Sequence, residues 1–336
     1  MTRQLPPLKW RDERIAELRA ANAQLRASNA ELARDETAPP EIPTEPSFGA
    51  HLQADRRIFE EARLAVAAGA DLVHAPRVEL MHKLKAYRFA ESHGVRVPEV
   101  LAVWSDLDEI DWDALPEAFV LKSAGGFSSL GVYPLRRVPG GFQVVGQSTV
   151  RTPEDITAAL RRNAATRRIR APYFVEALLE EHDQPGVLPT DHKLYAFYGE
   201  VGHVLLRRMT QHGNTRLAHW QYLDREGVDL GDVAEGRTVN PDLPAPPNLA
   251  QMVQIAERLS LAVPTPMIRV DLYNTSQGIC LGEFTIMPGG QQQYRADHDA
   301  MLGRLWEQAA ARLQRDLSNG RSFALLRGEH PVRTPG

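Results

Sequence analysis

The sequence predicts a mixed α/β (α+β) chain, and two strand hairpins and a set of helical periodicities carry that prediction. The first hairpin spans residues 268–290, IRVDLYNTSQGICLGEFTIMPGG. There Ile268, Val270 and Leu272 alternate with Arg269 and Asp271, turn residues follow from 274 to 278, and Ile279, Leu281, Phe284 and Ile286 resume a strand. The second spans residues 118–135, AFVLKSAGGFSSLGVYPL, and reads as a strand, a loop of small residues and a second strand. Apolar residues elsewhere recur at helical spacing, as in Ile58, Phe59, Ala62, Ala65 and Val66 ahead of Gly69.

Composition narrows the class. The chain has 336 residues and a formal net charge of −4, which gives no support to a nucleic-acid partner. No apolar run approaches the roughly eighteen residues of a membrane span, so membrane insertion is not expected. The single cysteine, Cys280, excludes an intramolecular disulfide and a zinc cluster. At mid-strand it reads as a small buried hydrophobe. The first residues, MTRQLPPLKWRDER, lack the apolar core of a signal peptide, and the cytoplasm is the expected location.

In chain order, residues 11–35 place Ile15, Leu18, Asn22, Leu25, Asn29 and Leu32 at alternating spacings of three and four, the a and d positions of a heptad. Leu at d with Asn at two a positions predicts an N-terminal coiled-coil helix (1–35) that pairs the chain as a homodimer. Residues 36–48, rich in Pro and Glu, read as an extended linker. A helical segment (49–112) follows. The helix after Pro153 ends in Arg161, Arg162, Arg167, Arg168 and Arg170, a solvated basic face. A last helix from about 300 to 317 takes Asp297 or Asp299 as its cap, and a disordered tail (331–336) closes the chain.

Antiparallel pairing brings Asp271 and Glu283 together on neighbouring strands. Two adjacent carboxylates need a cation, and oxygen donors without Cys or His suit Mg2+, which completes its shell with water and phosphate oxygens. Arg269, two residues before Asp271, and Thr285, two after Glu283, extend the polar stripe on the same side. In the other hairpin Lys122 ends a strand before a loop that includes Ser128, Ser129 and Gly131. Small residues there let backbone N–H groups close over an anion. No GKS or GKT closes the loop and a strand follows it, so it is not a Walker loop.

R-x-D, a turn and G-E-x-T-x-x-P-G-G resemble the metal-binding end of ATP-grasp enzymes, and Thr285 in place of the commoner Asn resembles their teichuronopeptide-biosynthesis branch. Three further segments resemble that family in order. MHKLKAYRFAESHGVRVP places Lys83 as a phosphate-contacting lysine, with His82 where the family has Asp. PYFVEALLE resembles the hinge, implying Glu176 at the adenine amino group and backbone near Leu178 at the ring edge. TDHKLYAFYGEV implies Asp191 toward ribose and Lys193 toward phosphate. The resemblance implies an ATP-grasp fold of two α+β subdomains, a small lid subdomain (113–173) and a larger catalytic one (174–330), clasping ATP, with the glycine loop as a lid and with ATP and Mg2+ as cofactors. Asp271, Glu283 and Thr285 would hold the metal, and Arg269 and Lys122 would serve catalysis. The basic piece Arg207, Arg208, His212 and Arg216, otherwise a solvated loop, would bind an anionic substrate together with Gly289.

The implied activity is carboxylate–amine ligation through an acyl phosphate, acting on a cell-envelope or secondary-metabolite carboxylate with an amine as nucleophile. Phosphorylation of a hydroxyl, or an inactive ATP-binding scaffold, is the alternative.

Overall fold

The computed structural model describes Ala23 and residues 45–69, 76–126, 130–181, 187–209, 218–235, 239–240, 243–289, 293–323 and 328–335. The heptad segment apart from Ala23, residues 36–44 of the Pro-rich linker, and Ser128, Ser129, His212 and Arg216 lie outside the described residues.

Helix α1 (Phe48–Ala67) begins with Ser47, whose side chain accepts the Ala50 N–H. The expected linker therefore ends before Phe48, a buried residue whose ring meets Tyr195, Phe197, Tyr294 and Trp306 edge-on. A 3₁₀ turn (Pro76–Met81) precedes α2 (Lys83–Ser92). His82 caps α2 by accepting the Lys85 N–H at its ring Nδ1, so the imidazole does the capping that an Asp would do.

Six antiparallel strands form the first sheet: β1 (Val100–Trp104), β2 (Ala118–Gly126), β3 (Val132–Val138), β4 (Gly141–Val144), β5 (Val150–Arg151) and β6 (Ile169–Ala177). Their order is β1-β6-β2-β3-β4-β5. Period-two alternation turns Phe119, Leu121, Tyr173 and Val175 toward α3 (Pro153–Ala165), where they join Ile156 and Leu160 in one core. The opposite face of β2 and β6 carries Lys122, Phe174 and Glu176. Thr152 and Asp155 form a capping box at the start of α3. Its expected basic end is interrupted, because the helix stops at Ala165, Arg167 adopts φ 57° and Arg170 enters β6.

The second sheet runs β11-β10-β7-β8-β9, again antiparallel. Its strands are β7 (Asp191–Ala196), β8 (Val201–Arg208), β9 (His219–Leu223), β10 (Ile268–Thr275) and β11 (Gly278–Thr285). Helix α4 (Leu249–Leu261) packs on β7, β8 and β10, and its Asn248 cap residue donates to Asn274 Oδ1. The subdomain boundary expected between 173 and 174 would cut β6. All of β6, and β1 from the expected helical segment, belong to the first sheet. Their partners are distant in sequence, which local patterning cannot register.

Helix α5 (Ala296–Ser318) starts earlier than expected and has no side-chain cap. Asp299 instead accepts the Gly49 N–H at 2.9 Å, tying α5 to α1, and Asp297 accepts from its neighbour His298. The C-terminal residues are seated: the Arg333 and Thr334 N–H groups donate to Glu91 Oε2, and Thr334 is buried. Arg333 and Thr334, within the expected tail, thus strap the end of α2. Where α5 meets the start of α1, a Cβ on Gly303 would lie 2.6 Å from the Pro46 carbonyl carbon. Gly303→Ala should therefore destabilise the chain by about 1–3 kcal/mol, read as a lowered midpoint in urea unfolding.

Candidate functional site

Cross-strand register on the second sheet assembles the polar residues into one continuous array. Asp191 on β7 faces Arg207 on β8, Lys193 faces Asp271 on β10, and Asp271 faces Glu283 on β11. Arg269 faces Thr285 on the other side of the metal-type pair. The side chains complete what the register begins. Arg207 donates to Asp191 Oδ2 from Nε at 3.0 Å and from Nη2 at 2.5 Å. Lys193 Nζ lies 3.3 Å from Asp191 and 2.5 Å from Asp271. Arg269 grips both Asp271 oxygens, at 2.6 and 2.7 Å, and also donates to Thr285 Oγ1 at 2.7 Å. Its Nη2 lies 3.5 Å from Glu283.

Burial makes this array costly unless it is neutral. Asp271 is fully buried, Asp191 and Lys193 nearly so, whereas the Glu283 side chain is 49% exposed. For both aspartates burial opposes ionisation, yet the adjoining cations prevail and hold each below the usual carboxylate range. For Asp271 those cations are Arg269 and Lys193, and for Asp191 they are Lys193 and Arg207. Arg207, Lys193 and Arg269 balance Asp191, Asp271 and Glu283 in formal charge.

The G-E dipeptide has a backbone reason. The β10–β11 register shifts after Asp271, so that Leu272 pairs with Leu281 and Gly282 is the extra residue. A Cβ on Gly282 would stand 2.7 Å from the Tyr273 ring. Glycine there lets β11 bulge and leaves Glu283 directly opposite Asp271.

The first sheet supplies the second group of charges. Lys122 Nζ on β2 lies 2.5 Å from Glu176 Oε1 on β6 and donates to Tyr87 Oη at 3.0 Å. Tyr87 donates in turn to Glu176 Oε2 at 2.8 Å. Glu176 is 2% exposed with both oxygens engaged, so its side chain faces Lys122. Leu178, just beyond the end of β6, is half-buried. Lys83, the first residue of α2, donates to Gly126 O at 2.7 Å, at the end of β2. Desolvation lowers Lys83 to about 8, against the pull of Glu283, with Lys122 adding repulsion and Glu176 attraction. That set of neighbours brings Glu283 of the second sheet and the Lys122–Glu176 pair of the first around one amine.

Gly131 of the glycine loop adopts φ +68° and accepts the Ser123 N–H through its carbonyl. Arg208 is half-buried and donates to Thr190, Arg207 stands 5.8 Å from the Trp220 ring, and Gly289 is exposed. Cys280 is buried, and desolvation raises its thiol to about 12, which fits the expected inert hydrophobe.

The donor set suits a hard cation. Asp271 and Glu283 offer oxygen only, and among the described residues no group of three His, Cys, Asp or Glu side chains gathers as a closed metal cage. Such a pair leaves most of an octahedral shell to water and phosphate. The sequence missed Tyr87, although its spacing of four from Lys83 puts both on one face of α2.

Asp271→Asn should cost about 3–5 kcal/mol by leaving Arg269 and Lys193 incompletely paired. Because both native aspartate pKa values are depressed, their contribution is present above the unfolded carboxylate value of about 3.9 and is lost as pH falls through the lower native values. Denaturant unfolding from pH 6 down to about pH 2 should show this acid loss in the parent chain and less of it in Asp271→Asn, where Asp191 alone still contributes.

A family model described as TupA-like ATPgrasp matches residues 69–307. Among solved structures, the chain is similar to D-alanine–D-alanine ligase from Bacillus anthracis complexed with ATP, at 12% identity and TM-score 0.42, over 71% of this chain and 68% of that one. It is similar to the ATP-grasp ligase PsnB, complexed with a phosphomimetic variant of its minimal precursor, Mg and ADP, at 15% identity and TM-score 0.37, over 74% and 63%. A Chryseobacterium gregarium RiPP-associated ATP-grasp ligase in complex with ADP and a leader and core peptide matches at 11% identity and TM-score 0.37, over 78% and 65%. The chain thus spans less than two thirds of each of the last two. No curated protein matches it in sequence. With its family model covering most of the chain, the protein belongs to the TupA-like ATP-grasp family.

Proposed function

We propose that this protein is an ATP-dependent carboxylate–amine ligase that forms an amide bond through an acyl phosphate, on a cell-envelope or secondary-metabolite carboxylate. The observation that carries the proposal is the Asp271–Glu283 pair with Arg269 bound beside it in a buried, charge-balanced array.

In this reading Lys83, Lys122 and Lys193 receive the phosphates of ATP, with Ser128, Ser129 and Gly131 closing over them. Backbone groups near Leu178 hold the adenine edge. Glu176 and Asp191 act by holding Lys122 and Lys193, which their contacts support more directly than a contact with the nucleotide. Asp271 and Glu283, with Thr285 alongside, hold Mg2+, which would neutralise charge on the transferring phosphoryl group.

A carboxylate oxygen of the substrate attacks the γ-phosphorus as the bond to ADP breaks. The amine then attacks the acyl carbon and loses a proton, and the phosphate leaves with that oxygen. Arg269 stabilises the acyl phosphate and the tetrahedral oxyanion, a task that a fixed, permanently charged guanidinium performs without reorganisation. Arg207, Arg208, His212, Arg216 and Gly289 are assigned to the anionic substrate.

With both a carboxylate and an amine present, ADP and free phosphate should form, and carboxylate oxygen-18 should appear in the phosphate. Phosphate left on a substrate hydroxyl, with none released, would establish a kinase instead. Glu283→Gln should abolish turnover while changing stability by no more than about 0.5 kcal/mol, since the side chain is half exposed. Affinity for Mg·ATP should fall as pH rises through about 8, where Lys83 loses its proton. Lys83→Arg should flatten that fall, because a guanidinium stays charged. Calorimetric titrations at pH 7 and 9 make the comparison.

A further inference from the structure

We infer that Tyr87 is a positioning residue that aims Lys122 at the nucleotide's phosphates, so that one face of α2 both carries Lys83 and sets Lys122 of β2. The inference rests on the reading of Lys122 as a phosphate ligand.

Tyr87 is completely buried, and its hydroxyl contacts both members of the ion pair. It accepts from Lys122 Nζ at 3.0 Å and donates to Glu176 Oε2 at 2.8 Å, while Lys122 Nζ meets Glu176 Oε1 at 2.5 Å. The three groups close a triangle in which each partner holds the other two. An ammonium has three N–H donors in tetrahedral array. Two directions are occupied by Tyr87 and Glu176, which fixes the third. Without the phenol, Lys122 could rotate about its contact with Glu176 and distribute the remaining protons over a cone.

Burial raises the phenol's pKa far above its ordinary value, and Glu176 raises it further, so the hydroxyl keeps the proton it donates. The ring is held independently of the hydroxyl. It packs edge-on against Phe174 at 6.2 Å. One helical turn before Tyr87, Lys83 reaches Gly126 O at the far end of the same strand. Tyr87 and Lys83 therefore address β2 at two points, Lys122 and Gly126, from a single rigid element.

The test is a double-mutant cycle on the full chain, with Mg·AMPPNP as the probe and calorimetry as the readout. Tyr87→Phe keeps the ring and its packing and should weaken binding about tenfold, the scale of one hydrogen bond to a charged group. Lys122→Met should weaken it more, and adding Tyr87→Phe to Lys122→Met should have no further effect. A loss that persists in the Lys122→Met background would mean that the phenol acts on the fold in general, and would overturn the inference. So would unchanged binding by Tyr87→Phe. If Lys122→Met itself binds Mg·AMPPNP normally, the phosphate-ligand reading fails first, and the inference with it.

Discussion

The structure depends on keeping a row of buried charges neutral. Arg207, Asp191, Lys193, Asp271 and Arg269 alternate in sign across three adjacent strands, and Glu283 adds a half-exposed carboxylate on a fourth. An isolated carboxylate at the place of Asp271 would be desolvated without return, whereas one held by a bidentate guanidinium and an ammonium remains ionised. The array also constrains the sheet. A slip of one residue in β7 or β10 would turn these side chains toward α4 and bring apolar residues to the site.

That constraint explains two features around the array. Gly282 permits the bulge that sets Glu283 opposite Asp271, and the same bulge accommodates the Tyr273 ring beside it. Phe48 and α1 cover the neighbouring part of the same sheet face, where Tyr195 separates Arg269 from the buried pair His203 and His298. Desolvation depresses both histidines, which keeps them neutral among aromatic rings and adds no charge to the balance.

Helix α2 joins the two sheets in chemical terms. Its first residue, Lys83, feels Glu283 of the second sheet and Lys122 with Glu176 of the first. Farther along, Phe89 packs against Phe284 of β11, and the Leu281 N–H donates to Arg96 O just beyond the helix. The C-terminal strap holds the last turn through Glu91 and Ser92. A helix anchored at both ends is a suitable carrier for residues whose orientation matters.

The sequence by itself determined the two hairpins, the pairing of Asp271 with Glu283, the side shared by Arg269 and Thr285, and the resemblance that the family model bears out. These are local facts: period-two alternation and turn residues are written within about twenty residues of chain. Only the tertiary structure decided that β1 and all of β6 join the first sheet, and that the C-terminal residues clasp α2. It alone brought Lys193 to Asp271, 78 positions away, and Tyr87 to Glu176, 89 positions away. A buried polar contact between distant segments leaves no periodic trace, because each partner is a single residue whose neighbours obey their own strand or helix. Its location is set when distant strands pair and helices pack on them, and strand pairing within the second sheet is where the site acquires its charge balance.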